Sequence, residues 1–212
     1  MTLTFKTKDN PSKIDTETVE LAEFIIHNTK YIEITFAVLS RKKIPASNII
    51  KNIKASPEID TVDNDKNFIA FCKLMSSFYS TSSDVIKDRR GYLLELIVRT
   101  IKPINDEIYL AIPESLVFYN GVKMSRCDID VVLQYSEYDL IECKADVESY
   151  LYVPLAKKKK NKLRFMENVR QLATDERINC KAYLATYGSE EMNGRKASGV
   201  DEITKAMYEE NL

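Results

Sequence analysis

Two short apolar runs, Asp128-Ile129-Asp130-Val131-Val132-Leu133 and Tyr138-Asp139-Leu140-Ile141-Glu142-Cys143-Lys144, carry acids and an amine at alternate positions. Successive side chains of an extended strand point to opposite faces. Asp128 and Asp130 therefore share one face of the first run, and Glu142 and Lys144 share one face of the second. The polar segment Gln134-Tyr135-Ser136-Glu137 between them predicts a turn and hence a hairpin. Two carboxylates and an ammonium then converge on one side of a largely buried sheet. Such charges are costly to bury unless they are paired or bound to a metal. Carboxylates are hard oxygen donors of the kind that hold Mg²⁺, with Mn²⁺ able to take its place. The alternative is a surface hairpin whose Glu–Lys pair faces water, as antiparallel sheets commonly expose one face.

The arrangement of Asp130 and Glu142-Cys143-Lys144 resembles the PD-(D/E)-x-K nucleases, the restriction-endonuclease-like superfamily. It looks closest to the Holliday-junction-resolvase-like branch, in which the motif proline is often missing. Here, too, Cys127-Asp128-Ile129-Asp130 has none. The resemblance spans residues 85 to 190. It implies a catalytic set of Glu95 on a preceding helix, Asp130, Glu142 and Lys144, with Gln171 on a following helix as a supporting polar residue. It also implies that Glu95, Asp130, Glu142 and the Cys143 carbonyl hold Mg²⁺. Hydrolysing a phosphodiester requires charge stabilisation at an anionic phosphate and generation of a nucleophilic hydroxide, both of which a bound divalent cation supplies. Lys144 would position water and stabilise charge, because nearby carboxylates oppose the fall in pKa that a base would need. Asp130 is preferred to Asp128 because it lies nearer the middle of its apolar run. Asp128, at the strand mouth, could exchange roles with it or be a solvated strand-end carboxylate.

Composition narrows the chemistry. The single histidine, His27, lies far from these motifs. HNH and phospholipase-D-type nucleases and Ser-His-Asp hydrolases are thereby excluded, and metal–carboxylate chemistry remains. The four cysteines, Cys72, Cys127, Cys143 and Cys180, have no C-x-x-C spacing for zinc and read as reduced thiols. The net charge of -1 is not that of a strong nucleic-acid binder. Basic residues are nonetheless concentrated in Lys157-Lys158-Lys159-Lys160-Asn161-Lys162-Leu163-Arg164. Alone, this run could be a solvated loop and helix start, but its place beside the candidate nuclease site points to contact with DNA or RNA phosphates. Tyr150 and Tyr152 beside the run could stack on bases, but tyrosines more often serve as ordinary packing. With no apolar run of about 18 residues and no signal-like start, the expectation is a cytoplasmic protein without a membrane span. DNA is the expected partner, RNA remains open, and a homodimer would suit a structure-selective resolvase.

The elements that must position these residues follow from periodicity. Residues 1–82 read as a mostly helical extension and residues 83–212 as the nuclease-like core, an α/β fold with a central mixed sheet flanked by helices. Within the extension, residues 1–14 read as a loose lead. Thr16 to Asn28 is a helix capped by Asp15, Tyr31 to Leu39 is strand or helix, and Ser47–Lys54 and Lys66–Tyr79 are helices. The core order is helix 83–101, strands near 107–112, 116–120, 128–134 and 139–145, helix 162–177, strand 181–187 and a last helix 200–210.

Two other functions compete. A nucleotidyltransferase would use Asp128 and Asp130 on one strand to hold Mg²⁺, with Gly121 preceding them. Its phosphate-binding Gly-Ser is replaced by Gly121-Val122-Lys123, however, and Glu142 and Lys144 would have no task. A non-catalytic nucleic-acid or protein-binding module on a nuclease-like core is the other. The complete set Glu95, Asp130, Glu142 and Lys144 argues against it, and the low net charge argues for it.

Overall fold

A computed structural model describes residues 2–41, 44–62, 65–100, 108–145, 157–187 and 201–203; the side chains of residues 61, 157–161, 163 and 201–203 lie outside that description. The described residues divide into two compact units. One runs from Lys13 to Ile97, and the other combines the residues up to Ser12 with those from Val98 onward. The boundary expected between residues 82 and 83 thus lies elsewhere, because the first residues belong to the sheet and the helix beginning at Ser83 belongs with the helices. Among the described residues, no helix is long and apolar enough to cross a membrane.

The helical unit contains α1 (Thr16–His27), α2 (Ile32–Leu39), α3 (Ile49–Lys54), α4 (Phe68–Tyr79) and α5 (Ser83–Val98). Asp15 caps α1 as expected, its carboxylate accepting from the Thr18 N–H at 3.0 Å. The segment that could have been strand or helix is helical, as a short 3₁₀ turn (Thr29–Tyr31) leading into α2. Its periodicity is hidden because Ile32, Ile34, Thr35, Phe36, Val38 and Leu39 are all buried. Arg89 ties the unit together: it donates to the Ser77 and Phe78 carbonyls at the end of α4 and to Asp15 Oδ2 at the start of α1, at 3.1, 2.6 and 2.6 Å. One guanidinium thereby serves orphan carbonyls at one helix end and the capping residue of another.

The sheet unit is α/β. Its strands are β1 (Leu3–Thr7), β2 (Leu110–Tyr119), β3 (Val122–Lys123), β4 (Ile129–Gln134), β5 (Tyr138–Cys143), β6 (Cys180–Ala185) and β7 (Asp201–Ile203), with α6 (Lys157–Asp175) between β5 and β6. The order across the sheet is β1-β2-β4-β5-β6-β7, with β3 folded back on β2. Pairing is antiparallel from β1 to β5 and parallel from β5 to β7. Phe165, Met166, Val169 and Ala173 of α6 join Val132, Leu140, Ala182 and Leu184 of the strands in one core.

Three expectations are corrected here. The supposed loose lead contains β1, in which Leu3 and Phe5 are buried and Thr4 and Lys6 exposed, the alternation of a half-buried strand. The two short strands expected near 107–120 are a single one, β2. Pro113 pairs with Val131 and Ser115 with Ile129, so the register survives across Glu114, where φ of 42° lets the chain bend. Residues 201–203 form a parallel edge strand rather than the start of a helix; 204–210 lie outside the described residues. Gly121, with φ of 78°, forms with Asn120, φ 49°, the tight turn between β2 and β3. Positive φ at both positions is the geometry that favours Asn-Gly in hairpins, which explains the glycine without a phosphate loop.

Candidate functional site

The β4–β5 hairpin forms as expected, with the Tyr135 N–H donating to the Glu137 carbonyl at 3.0 Å across the turn. Val131 pairs with Ile141, so the register continued by one position sets Asp130 directly across from Glu142. Like charges in that relation destabilise a sheet unless cations stand beside them. Two do. Lys144, just beyond β5, places Nζ 3.1 Å from Asp130 Oδ2 and 2.5 Å from Glu142 Oε1. Lys162, from α6, places Nζ 2.9 Å from Asp130 Oδ1 and 2.6 Å from Glu142 Oε2. Each ammonium bridges both carboxylates, and each uses a different oxygen of each acid.

The four groups differ in surroundings. The Glu142 side chain is 1% exposed, against 15% for Asp130, 18% for Lys162 and 29% for Lys144. Asp130 also accepts from the Cys143 N–H at 2.8 Å. Neither buried Glu142 oxygen has an aligned hydrogen bond, and each makes a close ion pair with a lysine instead. Burial pushes the Asp130 carboxyl up, but Lys144 and Lys162 outweigh it and hold the group below its ordinary range. Glu142 is moved up, by burial first and by the Asp130 charge second. Burial pulls both lysines down, yet the Glu142 and Asp130 charges raise them above the ordinary ammonium value. At neutral pH Lys144 is therefore an ammonium, able to donate hydrogen bonds and unable to take a proton.

Asp128 goes elsewhere. It meets Lys8 Nζ at 3.3 Å, and that lysine also contacts Glu114 Oε1 at 2.8 Å. Of the two aspartates, the hairpin brings Asp130 to Glu142 and Lys144. Glu95 stands half-buried on α5 of the helical unit. Gln171 is exposed and donates to Asp175 at 3.1 Å, so it is not brought to the cluster. The reason is helical phase: nine residues separate it from Lys162, about 180° around the helix at roughly 100° per residue.

Lys162 was expected in a phosphate-binding run, and instead faces the acids. A signal for this existed: Lys162, Met166, Val169 and Ala173 fall at the i, i+4, i+7 and i+11 spacing of one helical face, and the last three are buried. Arg164 of the same run is exposed. The Lys157, Lys158, Lys159 and Lys160 side chains, and Tyr150 and Tyr152, lie outside the described residues.

Among the described residues, no group of three or more His, Cys, Asp or Glu side chains is placed to hold a metal ion. The sheet unit supplies Asp130, Glu142 and the Cys143 carbonyl, which accepts from Lys144 Nζ at 2.8 Å. These are hard oxygen donors suited to Mg²⁺. The donors fit a cation on a second ground: the Glu142 oxygens lack aligned hydrogen bonds, and positive charge already stands between the two acids. The Cys143 and Cys180 thiols are buried and all four cysteines are free.

Asp139 is a buried acid outside this cluster, 7% exposed. Its Oδ2 accepts from the Tyr135 hydroxyl at 3.2 Å, and its Oδ1 has no hydrogen-bond partner. Burial pushes its pKa up to about 6, against the Tyr135 hydrogen bond and the Lys181 charge. A raised native pKa favours the protonated acid in the folded state. Its stabilisation is complete below the unfolded value near 4 and is lost as pH rises through about 6. Asp139→Asn is therefore expected to gain about 2 kcal/mol over wild type at pH 7.5, a gain that disappears near pH 4. Urea unfolding at the two pH values measures the difference. A variant equally destabilised at both would contradict the assignment.

No protein-family model, curated protein or solved structure matches this chain.

Proposed function

We propose that the protein is a Mg²⁺-dependent endonuclease that hydrolyses phosphodiester bonds in DNA, acting in the cytoplasm as a homodimer. The observation that carries this reading is the convergence of Asp130, Glu142 and Lys144 on one face of the β4–β5 hairpin. Asp130, Glu142 and the Cys143 carbonyl would hold the cation. Bound there, Mg²⁺ would neutralise phosphate charge and lower the pKa of a bound water. Asp130 remains ionised and able to ligate, because the lysines and the Cys143 N–H stabilise its anionic form. Lys144 donates to the attacking water or to a phosphate oxygen, the role its raised pKa leaves it. Exposed Arg164 would meet the backbone phosphates. Four free cysteines suit a reducing compartment.

The test is incubation with labelled linear duplex, single-stranded and four-way-junction DNA, and with RNA, in Mg²⁺ or Mn²⁺ and in EDTA. Metal-dependent cleavage of a DNA substrate supports the proposal. Cleavage of RNA alone reassigns the substrate.

A second reading has an observation of its own. The charges of Asp130, Glu142, Lys144 and Lys162 sum to zero, -2 and +2, as in a closed ion-pair network. That balance favours a non-catalytic binding module on the same core. Absence of cleavage with every substrate and metal would select it.

A further inference from the structure

We infer that Lys162 is a tethered stand-in for the metal ion: its ammonium occupies the cation position between Asp130 and Glu142, and it must withdraw before a divalent cation can bind. The inference rests on the metal-dependent reading above and adds to it a residue that sets metal affinity. Lys162 Nζ lies 2.9 Å from Asp130 Oδ1 and 2.6 Å from Glu142 Oε2, one oxygen of each acid, which is the bridging position of a shared cation. Lys144 holds the other oxygen of each acid and follows directly on β5, so its backbone is fixed by the sheet.

Lys162 comes from a different element, and its flexible side chain is 18% exposed, so a rotamer change carries the ammonium to solvent while α6 stays in place. With both lysines in place the site has no net negative charge to offer a dication. With Lys162 withdrawn, the remaining charge is -1, from two carboxylates and Lys144. Metal entry and lysine exit are then one exchange, and apparent affinity falls by the fraction of molecules with the lysine out. The displaced ammonium would be released beside the metal, where it could meet an incoming phosphate.

The experiment is Mn²⁺ binding to the full chain without nucleic acid, followed by calorimetry and by the electron-spin signal of free Mn²⁺. Wild type, Lys162→Met, Lys162→Gln and Lys162→Met/Asp130→Asn are compared, with folding checked by circular dichroism. Lys162→Met or Lys162→Gln is expected to bind Mn²⁺ about tenfold or more tightly than wild type. The added Asp130→Asn change is expected to abolish that gain. If wild type binds Mn²⁺ and both single variants bind no more tightly, the stand-in role is wrong while the metal site survives. If the gain persists with Asp130→Asn, the ion binds elsewhere and the inference fails. If no form binds Mn²⁺, the metal-dependent reading falls together with the inference.

Discussion

Asp130→Asn is expected to reduce metal-dependent cleavage by about 10³-fold or more, while Asp128→Asn keeps most of the wild-type rate. The two aspartates are two residues apart on the same run and were interchangeable by alternation alone. The structure separates them by partner. Asp130 faces Glu142 and is contacted by Lys144, Lys162 and the Cys143 N–H, whereas Asp128 pairs with Lys8. An amide at position 130 keeps the shape and the contact from the Cys143 N–H but removes the charge that would hold a divalent cation. Unchanged circular dichroism in both variants would show that activity, rather than folding, had been altered. The opposite ranking of the two variants would mean that Asp128 is the metal ligand.

The second large effect is on stability. Glu142→Leu is expected to cost about 3 kcal/mol of unfolding free energy in EDTA, because two ammonium groups are left with one carboxylate. Leucine is no smaller than glutamate, so the loss is not that of a cavity. Lys162→Met in the same chain restores the balance, leaving Asp130 paired with Lys144. The double variant should recover about 2 kcal/mol relative to the sum of the single changes. Urea denaturation of the four forms measures this coupling. Additive losses would show that Lys162 and Glu142 do not act as a unit.

The chemistry of the hairpin was legible because strand alternation is a short-range rule. Two runs and a polar turn sufficed to place Asp130, Glu142 and Lys144 on converging faces, and Asp15 announced the start of α1 by its type and position. The rest depended on partners distant in sequence. Leu3–Thr7 is five residues long and becomes a strand by pairing with Tyr119–Ser115, more than a hundred residues later. Pro113 and the bend at Glu114 looked like a break between two strands, yet β1 and β4 on either side carry β2 through it. Lys162 was hidden by composition: in a run of lysines it read as a phosphate contact, although its phase on α6 matched the buried stripe. Gln171 was chosen for its chemistry, and the same phase turns it away.

The central claim is that the carboxylate pair and Lys144 form a metal-dependent phosphodiesterase site. The most direct measurement is cleavage of labelled duplex and four-way-junction DNA in Mg²⁺, by wild type beside Lys144→Ala. The account predicts that wild type cuts only with the metal and that Lys144→Ala loses about 10²-fold or more of the rate. Wild-type cutting that persists in EDTA, or that Lys144→Ala leaves unchanged, would contradict it.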